Sequence, residues 1–183
     1  MMISNLKGEF TYISGKLELD STDITNSHVE AWIDAATIHT REPQRDDHLK
    51  SDEFFDVEEF PNLRFKSTRV SKKSEGELAV AGELTMHGVT REVVFDVEGP
   101  SAPAQDPGGD KRIGLSATTH INRKDFGLNW NVALETGGIF LGEEVAITLD
   151  VEFVKVSQKT VTAPVESWWV RKLPLHRMLS EKL

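Results

Sequence analysis

The composition of this 183-residue chain excludes several classes of protein. Its length suits one domain, and a hydrophobic content of 38% is sufficient for a core. The absence of cysteine excludes a disulfide scaffold, a thiolate nucleophile and a cysteine-ligated metal. A net charge of −9 argues against a nucleic-acid surface, because phosphate binding needs a concentrated basic patch. No stretch approaches the roughly 20 apolar residues of a membrane-spanning helix.

The charge divides the chain near residue 156. Five basic and two acidic residues give residues 157–183 a net charge of +3, which leaves −12 for residues 1–156. The basic segment also contains Trp168 and Trp169. We therefore predict an acidic body over residues 1–156 and a basic tail over residues 157–183, with different partners.

Apolar residues that alternate with polar ones predict seven strands. In chain order these are Gly8–Leu19, His28–Ile38, Leu63–Val70, Gly76–Met86, Val89–Glu98, Lys111–Ile121 and Glu143–Val156. The first should bend near Gly15, where the apolar parity switches. Arg45–Phe55 predicts one short helix in a long connection. His87-Gly88 predicts a tight hairpin turn, and the Pro- and Gly-rich residues 100–110 predict a surface loop.

Seven strands with hairpin connections predict an all-β protein. The expected architecture is an antiparallel up-and-down barrel that closes on itself. An even number of strands closes such a barrel most simply, so seven would leave an unpaired edge.

Several motifs in a fixed order resemble the YceI family. They are MMISNLKGEF, HLKSDEFFDVEEFPNLRFKS, GELTMHGVTREVVFDVE, INRKDFGLNWN and LETGGIFLGEEVAITLDVE, and they lie between Met1 and about Val156. Each motif alone is weak, whereas the ordered set is specific. The resemblance implies a lipocalin-like, extended barrel of eight strands that binds polyisoprenoid or similar long-chain lipids.

Both ends of the chain depart from the family pattern. The opening strand of the family, with a pattern like WxIDxxHSxVxFxVxH, is absent, and residues 157–183 lie outside the resemblance. We therefore expect a gapped barrel, or one that forms a homodimer through an unpaired edge. The location stays open: cytoplasmic if Met1 is the true start, periplasmic or secreted if a signal peptide lay upstream.

The apolar parities predict which side chains face the barrel interior. Periodicity alone leaves open whether they fill the core or line a cavity, and the resemblance favours a cavity. Small inward residues at Ala31, Ala35, Gly82 and Ala117 favour free space. The predicted ligand-binding residues are Tyr12, Ile33, Phe54, Phe65, Leu84, Phe95, Leu115, Phe126, Trp130, Ile147 and Leu149.

Polar candidates are few, so the expected function is non-enzymatic binding, storage or transport of the lipid. Arg41, Arg45 and His48 in the long connection are candidates for contact with a polar head group. No residue pattern indicates a nucleophile, a metal site or a cofactor. The expected partner is a long-chain isoprenoid or fatty-acid-like lipid. Two alternatives remain: an enzyme acting on such a lipid through His87 or His48, and a structural or interaction barrel with a filled core.

The tail has its own pattern. Leu175, Met178 and Leu179 fall on one helical stripe beside basic residues, which allows peripheral contact with an anionic membrane. Pro164 makes Gln158–Val165 a poor central strand. A poorly ordered extension is the alternative.

Overall fold

The computed structural model describes residues 5–132, 141–155, 165–173 and 178–182. They form an all-β structure with one helix, α1 (Pro43–Lys50), which is too short to cross a membrane. The twelve strands are β1 (Asn5–Phe10), β2 (Ile13–Asp20), β3 (His28–Asp34), β4 (Ile38–His39), β5 (Asn62–Ser74), β6 (Glu77–Met86), β7 (Val89–Glu98), β8 (Ala104–Gln105), β9 (Lys111–Asn122), β10 (Glu144–Lys155), β11 (Val165–Leu173) and β12 (Met178–Lys182).

Eight of these strands close into an antiparallel barrel. Going around the wall, the order is β2, β3, β5, β6, β7, β9, β10, β11 and back to β2. The predicted lipocalin-like, all-β fold is therefore confirmed. The hairpin at His87-Gly88 is also present, and both residues have positive φ, as a tight two-residue turn requires.

The expected gap in the barrel is filled by the tail. β11 pairs antiparallel with β2 and, at its middle, with the end of β10. Trp168 is fully buried and Val170 is 5% exposed, whereas Trp169 between them is 41% exposed. This alternation is that of a strand with one apolar face. The prediction of a gapped barrel is wrong. The strand that closes the barrel, β11, begins at Val165, so Pro164 precedes this strand and does not interrupt it.

The second strand of the tail also corrects a prediction. β12 pairs with β1 and with the start of β10, so Met178 and Leu179 belong to a strand and not to a helical stripe. Leu175 lies outside the described residues. The homodimer stays a prediction. The open edge from which it was inferred is occupied by β11, which pairs with β10 and β2. The division of the chain at residue 156 also stays a prediction.

The first predicted strand is broken at a different place. It divides into β1 and β2 at Thr11 and Tyr12, not near Gly15. The amides of Thr11 and Tyr12 donate to the carbonyl and hydroxyl oxygens of Thr37, at 3.3 Å each. These bonds to a distant turn fix the break, and the side chain of Tyr12 lies at the surface, 36% exposed.

The predicted helix is present but begins earlier than expected. α1 has Pro43 in its first turn, where a missing amide proton costs no hydrogen bond. It ends at Lys50, and the amide of Ser51 donates to the carbonyl of His48. Phe54 and Phe55 therefore follow the helix in a series of turns, yet both are buried.

The buried side chains form two clusters inside the barrel. The larger contains Trp168, Phe10 and Phe126, and the smaller contains Val80 and Phe95. Both clusters pack against a shared set of partly buried residues on the inward face. That set is Val29, Phe65, Val93, Leu115, Ile147 and Leu149.

Candidate functional site

An apolar cavity of about 290 Å³ lies inside the barrel. All eight barrel strands contribute side chains to its wall. Its volume is close to the lower end of the roughly 300–1,000 Å³ found for small-molecule sites. The filled-core alternative is therefore wrong for the described residues, since the inward side chains leave a contiguous space.

The cavity extends between the two ends of the barrel. The end that holds α1 and the turn between β6 and β7, here called the helix end, contributes Arg45, His48 and Trp130 to the lining. The opposite end, beside the turn at Ile24–Asn26, contributes Ser27 and His28 among others. An elongated space with polar groups at its ends and apolar walls between them suits an amphipathic chain.

Most of the residues predicted to bind ligand lie in the wall of this cavity. They are Ile33, Phe54, Phe65, Leu84, Phe95, Leu115, Trp130, Ile147 and Leu149. Phe65 and Phe95 meet edge to face, with ring centroids 5.1 Å apart, and so link β5 and β7, the two neighbours of β6 in the wall. Their role in binding stays a prediction.

Two predicted residues do not reach the cavity. Tyr12 lies outside because β1 and β2 break there. Phe126 is 1% exposed and packs in the larger core cluster, at the end of a short 3-10 turn (Arg123–Phe126). It supports the barrel end instead of lining the space.

The small inward residues divide in the same way. Ala31 and Ala117 line the cavity, whereas Ala35 and Gly82 do not. A side chain at Gly82 would meet the Lys66 carbonyl at 2.4 Å and the Phe65 ring at 2.6 Å. This glycine therefore permits close packing of β5 on β6 and leaves no free space.

An aromatic cluster covers part of the helix end. The His48 ring meets Phe54 and Trp130 nearly at right angles, with centroid distances of 5.0 and 4.7 Å. Phe54 and Trp130 are 5.2 Å apart. The three rings join α1 to the connection that follows it and to the connection after β9.

A hydrogen-bonded cluster of Thr40, Arg45 and Asp46 fixes α1 at this end. Arg45 donates from Nε to the Thr40 hydroxyl at 2.8 Å and from Nη2 to the Thr40 carbonyl at 2.9 Å. Asp46 is buried and accepts from the Thr40 amide at 2.7 Å and from its hydroxyl. Burial raises the pKa of Asp46, but the hydrogen bonds from Thr40 and His39 outweigh it and hold this pKa below its usual value.

Two of the three predicted head-group residues line the cavity. Arg45 and His48 do so at the helix end, whereas Arg41 is exposed, with a φ of +66°, and does not. The hydrogen bonds from Nε and Nη2 of Arg45 to Thr40 fix the orientation of its guanidinium at the cavity.

Arg123 also lines the cavity, although it is not among the predicted ligand-binding or head-group residues. Its side chain is 2% exposed and donates to the carbonyls of Gly142 at 2.7 Å, Leu128 at 2.5 Å and Trp130 at 3.0 Å. It therefore ties together the beginning and the end of the connection between β9 and β10. No sequence spacing marks this, since the partners are backbone carbonyls.

Neither His48 nor His87, the histidines considered for catalysis, has a buried carboxylate partner at the cavity. His48 Nε2 lies 2.5 Å from Glu53, but both side chains are more than one third exposed. His87 occupies the hairpin turn with a φ of +50°, packs on Phe60 at 5.1 Å and does not line the cavity. A buried histidine–carboxylate pair facing the cavity is thus absent from the described part of the chain. Nor does the described part of the chain contain a group of His, Asp or Glu side chains that could hold a metal ion.

The comparison with known families decides the classification. A model of the YceI-like domain matches residues 1–153. The chain belongs to this family. The UPF0312 protein of Staphylococcus aureus strain MSSA476 is 37% identical over 153 residues, which cover 84% of this chain and 86% of that protein. The relationship therefore extends over nearly the whole barrel.

Solved structures give the same result for the YceI-like fold. The crystal structure of the Campylobacter jejuni YceI protein matches with a TM-score of 0.73 and 27% identity, over 86% of this chain and 89% of that one. Burkholderia cenocepacia BcnA matches with a TM-score of 0.66 and 20% identity, over 79% of this chain and 86% of its own. The second likeness concerns the fold alone.

Proposed function

We propose that this YceI-like protein binds a single long-chain lipid, of polyisoprenoid type, inside its barrel without transforming it. The observation that supports this most directly is the elongated cavity of about 290 Å³, with apolar side chains from every barrel strand. Storage or transport of such a lipid is the role that this binding would serve.

Burial of the chain is sufficient to hold such a ligand. Ten buried methylenes contribute about 8 kcal/mol at ~0.8 kcal/mol each, before association costs. Shape and length of the chain should therefore matter more than the chemistry of the head. We place the head at the helix end, beside Arg45 and His48, since both line the cavity there.

The proposal is tested by uptake of geranylgeraniol, an isoprenoid alcohol of 20 carbons. Native mass spectrometry should show one bound molecule, and organic extraction of the purified protein should show whether a natural lipid is already present. Leu149→Asp should abolish uptake, because it places a carboxyl group in the apolar wall. Val94→Asp is the matched control, since Val94 is a large exposed apolar residue of β7.

The enzyme alternative predicts a different result. A lipid-modifying enzyme that uses His48 and Glu53 would release an altered product, and His48→Ala would keep the bound lipid but lose that turnover. We expect geranylgeraniol to be recovered unchanged by mass spectrometry from both proteins.

Peripheral membrane contact through the basic tail also stays a prediction, which sedimentation with anionic vesicles would test.

A further inference from the structure

A glycine interrupts the inward face of β6. The neighbouring inward positions of this strand all line the cavity, and they are Leu78, Val80, Leu84 and Met86. Gly82 has no side chain to place among them. A Cβ atom at this position would lie 2.6 Å from Cζ and 2.7 Å from Cε2 of Phe65. The ring of Phe65 therefore occupies the space that a side chain at Gly82 would need.

Two aromatic rings meet beside this glycine. Phe65 on β5 is paired with Leu84 of β6. Phe95 on β7 is paired with Val80 of β6. Gly82 lies midway between these two levels, on the diagonals along which aromatic side chains of neighbouring strands can touch. Since the ring centroids are 5.1 Å apart, Phe65 lies along the barrel wall at Gly82 and reaches Phe95 across β6.

The cavity is lined by small residues on the other side of the Phe65 ring. Phe65 is paired with Ala31 of β3, and Ala31 is paired with Gly15 of β2. Both small residues line the cavity. Because protein interiors are close-packed, a ring displaced from Gly82 has to take space from elsewhere. Phe95 already fills one side, so a displaced Phe65 ring would turn toward Ala31 and into the cavity.

The width of the cavity at this level affects which chains fit. A polyisoprenoid has a methyl branch on every fourth carbon of its main chain, whereas an unbranched acyl chain has none. A buried methyl group adds to the binding free energy where the wall leaves room for it, and it costs free energy where the wall does not. The Phe65 ring held against Gly82 leaves that room beside Ala31.

We propose that Phe65 is a specificity-determining residue and that Gly82 positions it. The glycine lets the ring lie against the wall, and the resulting width of the cavity favours methyl-branched chains over unbranched ones. This inference rests on the proposed function, because it concerns the lipid bound in the same cavity. The close approach of the Lys66 carbonyl to Gly82 is a separate, structural reason for glycine here.

Two alcohols with the same main chain test this selection. Geranylgeraniol has a main chain of 16 carbons with four methyl branches, and 1-hexadecanol has the same main chain without branches. Their Kd values are measured by displacement of N-phenyl-1-naphthylamine, an apolar fluorescent probe. The parent protein should bind geranylgeraniol at least tenfold more tightly. Because the alcohols also differ in solubility, the ratio of the two Kd values is compared among variants.

Gly82→Ala should reduce this preference at least fivefold, because its methyl group displaces the Phe65 ring into the cavity. Gly114→Ala on β9 is the matched control, since its new methyl group would lie 3.8 Å from the nearest atom, and it should change the preference less than twofold. Adding Phe65→Leu to Gly82→Ala should restore the preference, because leucine has no ring to displace. The Tm should stay low in the double variant, since the contact with the Lys66 carbonyl remains.

Phe65→Leu alone tests the ring without a change at Gly82. Removing the ring adds the space beside Gly82 to the cavity. Retinol, a 20-carbon alcohol that ends in a substituted cyclohexene ring, should therefore bind at least fivefold more tightly than it does to the parent. Phe60→Leu is the matched control, because Phe60 packs on His87 and does not line the cavity. It should change the affinity for retinol less than twofold.

The results that would overturn the inference are distinct from those that would overturn the proposed function. A parent without preference for the branched alcohol, a preference unchanged by Gly82→Ala or not restored by Phe65→Leu, or an affinity for retinol unchanged by Phe65→Leu would each overturn the inference while binding persists. Where Gly82→Ala does not fold, the retinol measurement decides. A parent protein that binds neither alcohol would overturn the proposed function, and this inference with it.

Discussion

Ala117→Leu should shorten the lipid that the barrel accepts. Ala117 lies on β9 between Val97 and Leu149 of the neighbouring strands and contributes to the cavity wall. Leucine adds three carbons there, and they would occupy space otherwise available to the ligand. If the ligand loses three buried methylenes at ~0.8 kcal/mol each, its binding free energy falls by about 2.4 kcal/mol. That corresponds to a Kd about 50-fold weaker for geranylgeraniol.

The assay is displacement of N-phenyl-1-naphthylamine by isoprenoid alcohols of 10, 15 and 20 carbons. The variant should lose affinity for the longest alcohol most and should bind the 15-carbon alcohol relatively better. Its Tm should not fall, because the new side chain extends into empty space. Ala79→Leu is the matched control, since Ala79 lies on β6 and does not line the cavity. Equal affinity and equal length preference in both variants would refute binding along the interior.

Two further substitutions test the supports of the cavity. Gly82→Ala should lower the free energy of unfolding by about 1–3 kcal/mol in urea, because the new methyl group meets the Phe65 ring and a backbone carbonyl. Gly114→Ala, where the nearest atom is 3.8 Å away, should change it little. Asp46→Asn should destabilise the protein near pH 7. Since the pKa of Asp46 is lowered in the folded state, its stabilising effect is present above about pH 4 and is lost as the pH falls through that lowered pKa. The difference between parent and variant should therefore shrink in acid, and a difference independent of pH would contradict this.

The central strands could be predicted from sequence because their signals are local. β7 has the predicted bounds, Val89–Glu98, and follows a turn whose two residues favour positive φ. Side-chain parity then placed Leu84, Phe95 and Leu149 on the inward face, where they line the cavity. Alternation along a strand determines which face a residue occupies, whatever the partner strand is.

The remaining features depend on contacts between distant segments. Tyr12 was assigned inward by parity, but bonds to Thr37 break the strand and turn the side chain out. Arg123 reaches the cavity because carbonyls about 5 to 19 residues away hold its guanidinium. The place of β11 follows from pairing with β2, some 150 residues earlier in the chain. Local periodicity carries no information on such pairings.

An empty cavity lowers the stability of the barrel, and this cost is what a bound ligand would offset. In mutant cores, empty volume costs about 24 cal/mol per Å³, so a space of about 290 Å³ corresponds to a loss on the order of 7 kcal/mol relative to a filled barrel. That is comparable with the roughly 5–15 kcal/mol by which small domains are stable. Filling could be achieved by larger residues at Ala31 or Ala117, which line the space. A lipid chain would recover much of this packing when it binds. Occupancy should then raise the stability of the folded barrel.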